Sequence, residues 1–236
     1  MLASPLLKSL WVSGMVLSAG IAPSPAAAAG NRPGPETVFL IHGMGRTPVS
    51  MLILAWRLRR AGYRVRLHGY VAAAEPLESI TARLRERVEG RAGGGRYHLI
   101  GHSLGNVVIR DGFRRGYPTG LGRVVMLAPP NRPSELAGRL RGRRLFQGAT
   151  GDSGQKLADP AFYAGLPVPS AEFGVLAGCR GHRFFGGRPN DGILAVEETR
   201  LDGMRDFAIV PHTHTFMMNG RDTFERCMRF LREGRF

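Results

Sequence analysis

The residues able to do chemistry in this chain are one serine, a late aspartate and two late histidines. Ser103 is the centre of Gly101-His102-Ser103-Leu104-Gly105, which follows the apolar run at 97–100 and precedes Asn106-Val107-Val108-Ile109-Arg110. A G-x-S-x-G pentapeptide between a strand and a helix is a nucleophile-elbow pattern. The turn forces its serine into a strained backbone conformation and leaves no room for side chains at 101 and 105. The hydroxyl then projects at a helix N-terminus, where negative charge is favoured. A hydroxyl is a poor nucleophile until a base takes its proton, and the base needs a carboxylate to fix its tautomer. Asp191 follows one late strand segment; His212 and His214 follow the last. Two residues apart in an extended segment, the histidines share a face, so spacing leaves both open.

Other candidates fit less well. His98 and His102 lie in or beside the elbow strand and read as packed or supporting groups, while His68 ends a strand and His182 sits in a glycine-rich loop. Asp202-Gly203 is a turn signal, Asp206 precedes the last strand, and Asp152 and Asp159 come before the strand that should present the acid.

Apolar runs at 37–41, 63–67, 97–100, 123–128, 173–178 and 207–210 predict strands. Between them, helical spacing predicts helices over 49–61, 76–88, from the elbow to about 114, and over 220–232. Strands alternating with helices of this length imply βαβ units, hence a mostly parallel sheet with helices on both faces. Residues 131–172 carry the weakest pattern. Ser134 fits the cap of a short helix, and the rest reads as loop covering an apolar surface, too short for a sizeable cap domain.

The chain has 236 residues, 43% of them hydrophobic, which suits a single domain over 30–236. Residues 1–29 read as a signal peptide: Lys8 is the positive n-region, Leu10 to Ile21 the apolar h-region, and small residues after Pro23 give cleavage options near Ala28 or Ala29. The expectation is a secreted or periplasmic protein. Net charge is +15, carried almost wholly by arginine. The arginines are scattered through amphipathic stretches without a nucleic-acid-binding motif, so no nucleic acid is expected; a loose attraction to anionic membrane surface fits the charge. Cys179 and Cys227 lack a spacing that demands a disulfide and read as two small buried thiols.

The four segments HGMG (42–45), GHSLG (101–105), DGILAVEETRL (191–201) and HTFMM (214–218) together resemble the small bacterial lipase/esterase family of α/β-hydrolases, the triacylglycerol esterase/lipase group. The resemblance covers essentially the whole chain after residue 30. It implies an α/β-hydrolase fold with minimal or no cap, and a carboxylic ester hydrolase working through an acyl-enzyme. Residue by residue it implies Ser103 as nucleophile, Asp191 as orienting acid and His214 as base. Backbone N–H groups of Met44 and Leu104 would form the oxyanion hole, with His42 supporting that loop. Such chemistry needs no cofactor or metal, and its partner is a small-molecule or lipid ester. The same triad would also serve an acyltransferase or thioesterase. A non-catalytic binding protein on the hydrolase fold is the remaining alternative, which the presence of all four segments argues against. One departure stands out: residues 179–190 form a longer loop than in the minimal lipases, long enough to overhang the site and reshape its acyl or alcohol pocket.

Overall fold

The computed structural model describes residues 34–91, 94–140, 142–182 and 185–236. The expected signal peptide lies outside the described residues.

Six strands form one parallel sheet: β1 (Thr37–Ile41), β2 (Arg64–His68), β3 (Tyr97–His102), β4 (Leu121–Leu127), β5 (Glu172–Gly178) and β6 (Asp206–Val210), in the order β2-β1-β3-β4-β5-β6. Every residue of the central β1 and β3 is buried, which is why both read as continuous apolar runs. Register aligns their C-terminal ends: Ile41 lies opposite Gly101, His102 opposite Leu127, and Gly178 opposite Val210. Four chain segments therefore leave the sheet along one edge, where ligand sites of open α/β sheets form.

Alternation along each strand divides the core in two. Phe39, Ile41, Leu99, Val124 and Met126 point to the face covered by α2 (Leu77–Arg91) and α3 (Leu104–Gly112). Val38, Leu40, Ile100, Val125 and Leu127 point to the other, covered by α1 (Leu52–Arg60) and α7 (Arg221–Glu233). Helix α1 begins later than expected because Pro48–Met51 is a tighter 3-10 turn. Helix α7 packs Cys227, Met228, Phe230 and Leu231 inward and ends at left-handed Gly234.

The region expected to be mostly loop instead carries three helices, α4 (Glu135–Leu140), α5 (Arg144–Lys156) and α6 (Pro160–Ala164). The first is capped as anticipated, with Ser134 Oγ accepting from the Ala137 N–H. The last is opened by Asp159, whose carboxylate accepts from the Ala161 N–H, with Pro160 at the first helical position. Glycines hide α5 from a periodicity search. At Gly151 the backbone is kinked with φ 58°, and a Cβ there would lie 2.8 Å from the Ala73 carbonyl oxygen. Tertiary contact thus overrides weak propensity. The cysteines also differ from expectation: both are free, but only Cys227 is buried, and Cys179 is exposed at the start of the long loop.

Candidate active site

Ser103 sits between β3 and α3 with φ 51° and ψ −123°, one of only two non-glycine residues at positive φ among the described residues. Its N–H donates to the Leu127 carbonyl at 2.9 Å. The Asn106 amide clamps the same turn, donating to the carbonyls of Ser103 (3.2 Å) and Leu127 (3.0 Å). The flanking glycines are required by contact. A Cβ at Gly101 would lie 2.3 Å from Asn106 Oδ1, and one at Gly105 would lie 2.4 Å from the Ile41 carbonyl oxygen. A Cβ at Gly43 would lie 3.0 Å from Ser103 Cβ, so the backbone following β1 runs directly against the serine. That places Met44 on the cavity beside Ser103 and His214, while Leu104 opens α3, where first-turn N–H groups lack helical partners.

Asp191 is almost fully buried, 2% exposed. Its Oδ1 accepts from the N–H groups of Ile193 (2.9 Å) and Leu194 (2.8 Å), closing the turn that Asn-Asp-Gly announces. Its Oδ2 accepts from His214 Nδ1 at 2.7 Å. The His214 N–H donates to the Asp191 carbonyl at 2.9 Å, so backbone and side chain are tied to the same residue. His214 Nε2 then lies 2.9 Å from Ser103 Oγ. The chain Asp191–His214–Ser103 is continuous, with both imidazole nitrogens used.

Spacing had left two histidines open, and the structure separates them. His212 turns away to the Asp222 carboxylate (2.6 Å) near the start of α7. The other histidines fall where packing was expected. His102 donates through Nε2 to the His214 carbonyl at 2.9 Å, and burial together with the charge His214 can carry holds its pKa well below the ordinary value. His42 stacks on Tyr70 with ring centroids 4.2 Å apart and is likewise lowered by burial. His98 is buried between Glu36 and the Arg123 N–H.

No protein-family model and no curated protein sequence matches the chain. Solved structures do. The metagenomic carboxyl esterase MGS0156 is 17% identical with a TM-score of 0.69, over 87% of this chain and 80% of that one. An esterase from Thermogutta terrifontis is 18% identical with a TM-score of 0.56, over 85% and 91%. Phospholipase PlaB from Legionella pneumophila is 16% identical with a TM-score of 0.61; 83% of this chain is covered, and it spans 61% of that one. The chain has the α/β-hydrolase fold.

Within this fold, a cavity of about 440 Å³ opens over Ser103 and His214. Leu136, Ala137 and Leu140 of α4, Leu157 after α5, and Ile193 and Leu194 of the acid loop give it an apolar wall. None of the described residues of the long loop lines this cavity. The loop is pinched at its base, where the Gly181 N–H donates to the Asn190 carbonyl (2.7 Å), and Arg188 pairs with Glu135 at the start of α4 at 2.6 Å. Phe185 lies in a separate small hollow with Glu135, Leu136 and Arg139. The wall comes chiefly from α4, the short helix expected after Ser134, with Leu157 from the stretch expected to be loop.

Three supports escaped sequence reading. Arg110, 2% exposed, donates to the carbonyls of Leu166 and Pro167 and to Asn131 Oδ1, anchoring both ends of the α4–α6 segment. Its burial lowers its pKa to about 10. Glu198 accepts from the N–H groups of Ala195 and Glu135 (2.6 Å each), tying the acid loop to α4, and burial raises its carboxyl. Asn106 follows the elbow directly, where the sequence shows only the start of a helix. A charged or amide residue beside an apolar run was the available signal for Arg110 and Asn106; Glu198, between Glu197 and Thr199, offered none.

Proposed function

We propose that the protein is a carboxylic ester hydrolase, an esterase or lipase, acting through an acyl-enzyme. The observation that carries this reading is the Asp191–His214–Ser103 hydrogen-bonded chain at the floor of an apolar cavity, with the serine held at positive φ. Ser103 Oγ attacks the ester carbonyl while its proton passes to His214 Nε2; Asp191 fixes the tautomer and stabilises the imidazolium. Backbone N–H groups of Met44 and Leu104 hold the oxyanion, which needs donors aimed at the developing charge. Collapse of the tetrahedral species sends the proton from His214 to the leaving alcohol. Water, deprotonated by His214, then releases the acid and restores the serine. The neighbouring folds include proteins named as esterases and a phospholipase, which agrees with ester substrates.

The test is labelling by a fluorophosphonate together with turnover of p-nitrophenyl esters of increasing chain length. Labelling should map to Ser103, and Ser103→Ala should lose both labelling and turnover; a variant that still cleaves esters would sink the reading. Export is proposed on the n-, h- and cleavage regions of residues 1–29. Protein recovered from outside the cytoplasm should begin near Ala29, Gly30 or Asn31, and an N-terminus at Met1 would refute it.

A further inference from the structure

Helix α1 buries Leu54, Ala55 and Leu58 beneath the sheet, yet its outer side is apolar as well. Leu52, Ile53 and Trp56 are 43%, 45% and 56% exposed, and Val49 just before them is 68% exposed. Phe216, 61% exposed, stands beside them from the histidine loop, and a groove runs between Val49, Ile53, Phe216 and Arg46. Five of the nine large apolar side chains exposed among the described residues thus share one face. A helix on a globular surface normally turns polar groups outward, so apolar groups on both sides imply a second partner.

Charge says what that partner is. Between Glu36 and Glu75 there is no carboxylate, while there are six arginines: 46, 57, 59, 60, 64 and 66. The Arg46 guanidinium lies 5.9 Å from the Phe216 ring centre and that of Arg60 5.1 Å from the Trp56 ring, so cations and apolar groups are interleaved. Elsewhere Arg83, Arg114, Arg123 and Arg139 each pair with a carboxylate. Among the described residues no carboxylate pairs with Arg46, Arg57, Arg59 or Arg60. A second copy of the chain would set arginine against arginine with no acid to answer it. A surface offering phosphodiesters above acyl chains answers both features at once. No helix among the described residues is long and apolar enough to cross a membrane, so attachment through this face would be peripheral.

The face also borders the catalytic cavity. Gly45 and Arg46 line both the groove and the cavity over Ser103. We propose that this face docks on an anionic phospholipid surface, seating Ile53, Trp56 and Phe216 among the acyl chains and bringing the Ser103 cavity to the lipid. For lipid esters as the substrate class the proposal rests on the ester-hydrolase reading; for docking it does not.

The experiment is co-sedimentation of the Ser103→Ala protein, which cannot consume lipid by the proposed route, with two kinds of vesicle. One is phosphatidylcholine alone; the other is phosphatidylcholine mixed with phosphatidylglycerol. Binding should favour the mixed vesicles. Ile53→Ser/Trp56→Ser should lower partitioning by about tenfold or more, and Arg60→Gln by about fivefold. The same surface substitutions in the protein that keeps Ser103 should leave p-nitrophenyl acetate turnover and the melting temperature unchanged. Equal binding to both vesicles, no binding, or variants that bind like their parent would overturn the proposal. So would a concentration-dependent dimer that the double variant abolishes. Selective binding by a protein that cleaves no ester would leave docking standing and remove the ester-hydrolase reading alone.

Discussion

The floor of the cavity and its wall use glycine in opposite ways. At the floor, Gly101, Gly105 and Gly178 are each pressed so closely that a Cβ would meet a neighbouring atom at 2.3–2.6 Å, and for Gly105 and Gly178 that atom is a backbone oxygen. In the wall, Gly138, Gly142 and Gly148 have no neighbouring atom within 4 Å of where a Cβ would stand; only Gly151 and Gly154 are crowded. The floor is determined several times over, by contact, by register and by hydrogen bonds that return to the same residues. The wall is hung from a few anchors, chiefly Arg110 and Glu198. The proposed chemistry can therefore stay fixed while the surface facing the acyl group changes.

The largest effect should come from altering charge in the floor without altering shape. In Asp191→Asn the side-chain oxygen can still accept from Ile193 and Leu194, so the turn survives. An amide then faces His214 Nδ1, and the favoured tautomer directs the wrong nitrogen state at Ser103. Turnover of a soluble ester should fall on the order of 10⁴-fold, with little change in melting temperature. A loss below tenfold would show that Asp191 serves only the turn.

Next is Gly105→Ala. The added carbon would meet the carbonyl oxygens of Ile41 (2.4 Å) and His42 (2.7 Å), which are backbone and cannot rotate aside. The end of β1 must move, at a cost of about 3 kcal/mol, and Met44 moves with it. Urea denaturation and ester turnover should both register the change; wild-type behaviour in both would mean the floor is softer than its contacts imply.

These contrasts explain what could be read from the chain alone. Strand β1 and the second half of β4 are buried on both faces, and β3 is buried throughout, so apolar runs mark their positions plainly. The elbow was legible because strain demands glycines at fixed offsets from Ser103. Asp191 and His214 were legible as motifs in order, but only the resemblance of HTFMM chose His214 over His212; spacing could not, because the choice depends on whether the loop after Val210 turns towards Asp191 or Asp222. Helices α5 and α6 were missed because contact with Ala72 and Ala73, not periodicity, shapes the first, and the second is five residues long. Long-range anchors such as Arg110 leave no local trace beyond an out-of-place charge.

Acid should act on the floor before the wall. Burial lowers the pKa values of His42 and His102 in the folded protein, His102 well below the ordinary value. Unfolded, each takes a proton near its ordinary value of about 6.5. Below that pH the unfolded state binds more protons than the folded state, so stability falls as pH falls. Glu198, with its raised pKa, works in the opposite sense at lower pH, near and above the ordinary carboxylate range. Unfolding free energy should therefore decline between pH 6.5 and 5.5. In His102→Gln that decline should be shallower by about 1 kcal/mol per pH unit. Equal slopes in the two proteins would remove His102 from the account.

The smallest effect tests the wall. Gly138 lies within α4, has no positive φ, and a Cβ there would enter open space. Alanine at this position removes backbone freedom from the unfolded chain and improves helix propensity without displacing anything. Gly138→Ala should therefore raise stability by about 0.5–1 kcal/mol. Because α4 supplies Leu136 and Leu140 to the cavity, a stiffer helix could also reveal itself in chain-length preference. Turnover of an acetate ester, which scarcely reaches that wall, should stay the same, while the ratio of longer-chain to acetate turnover shifts by a small factor. A destabilised protein would show that α4 is packed as tightly as the elbow, and the contrast between floor and wall would fail.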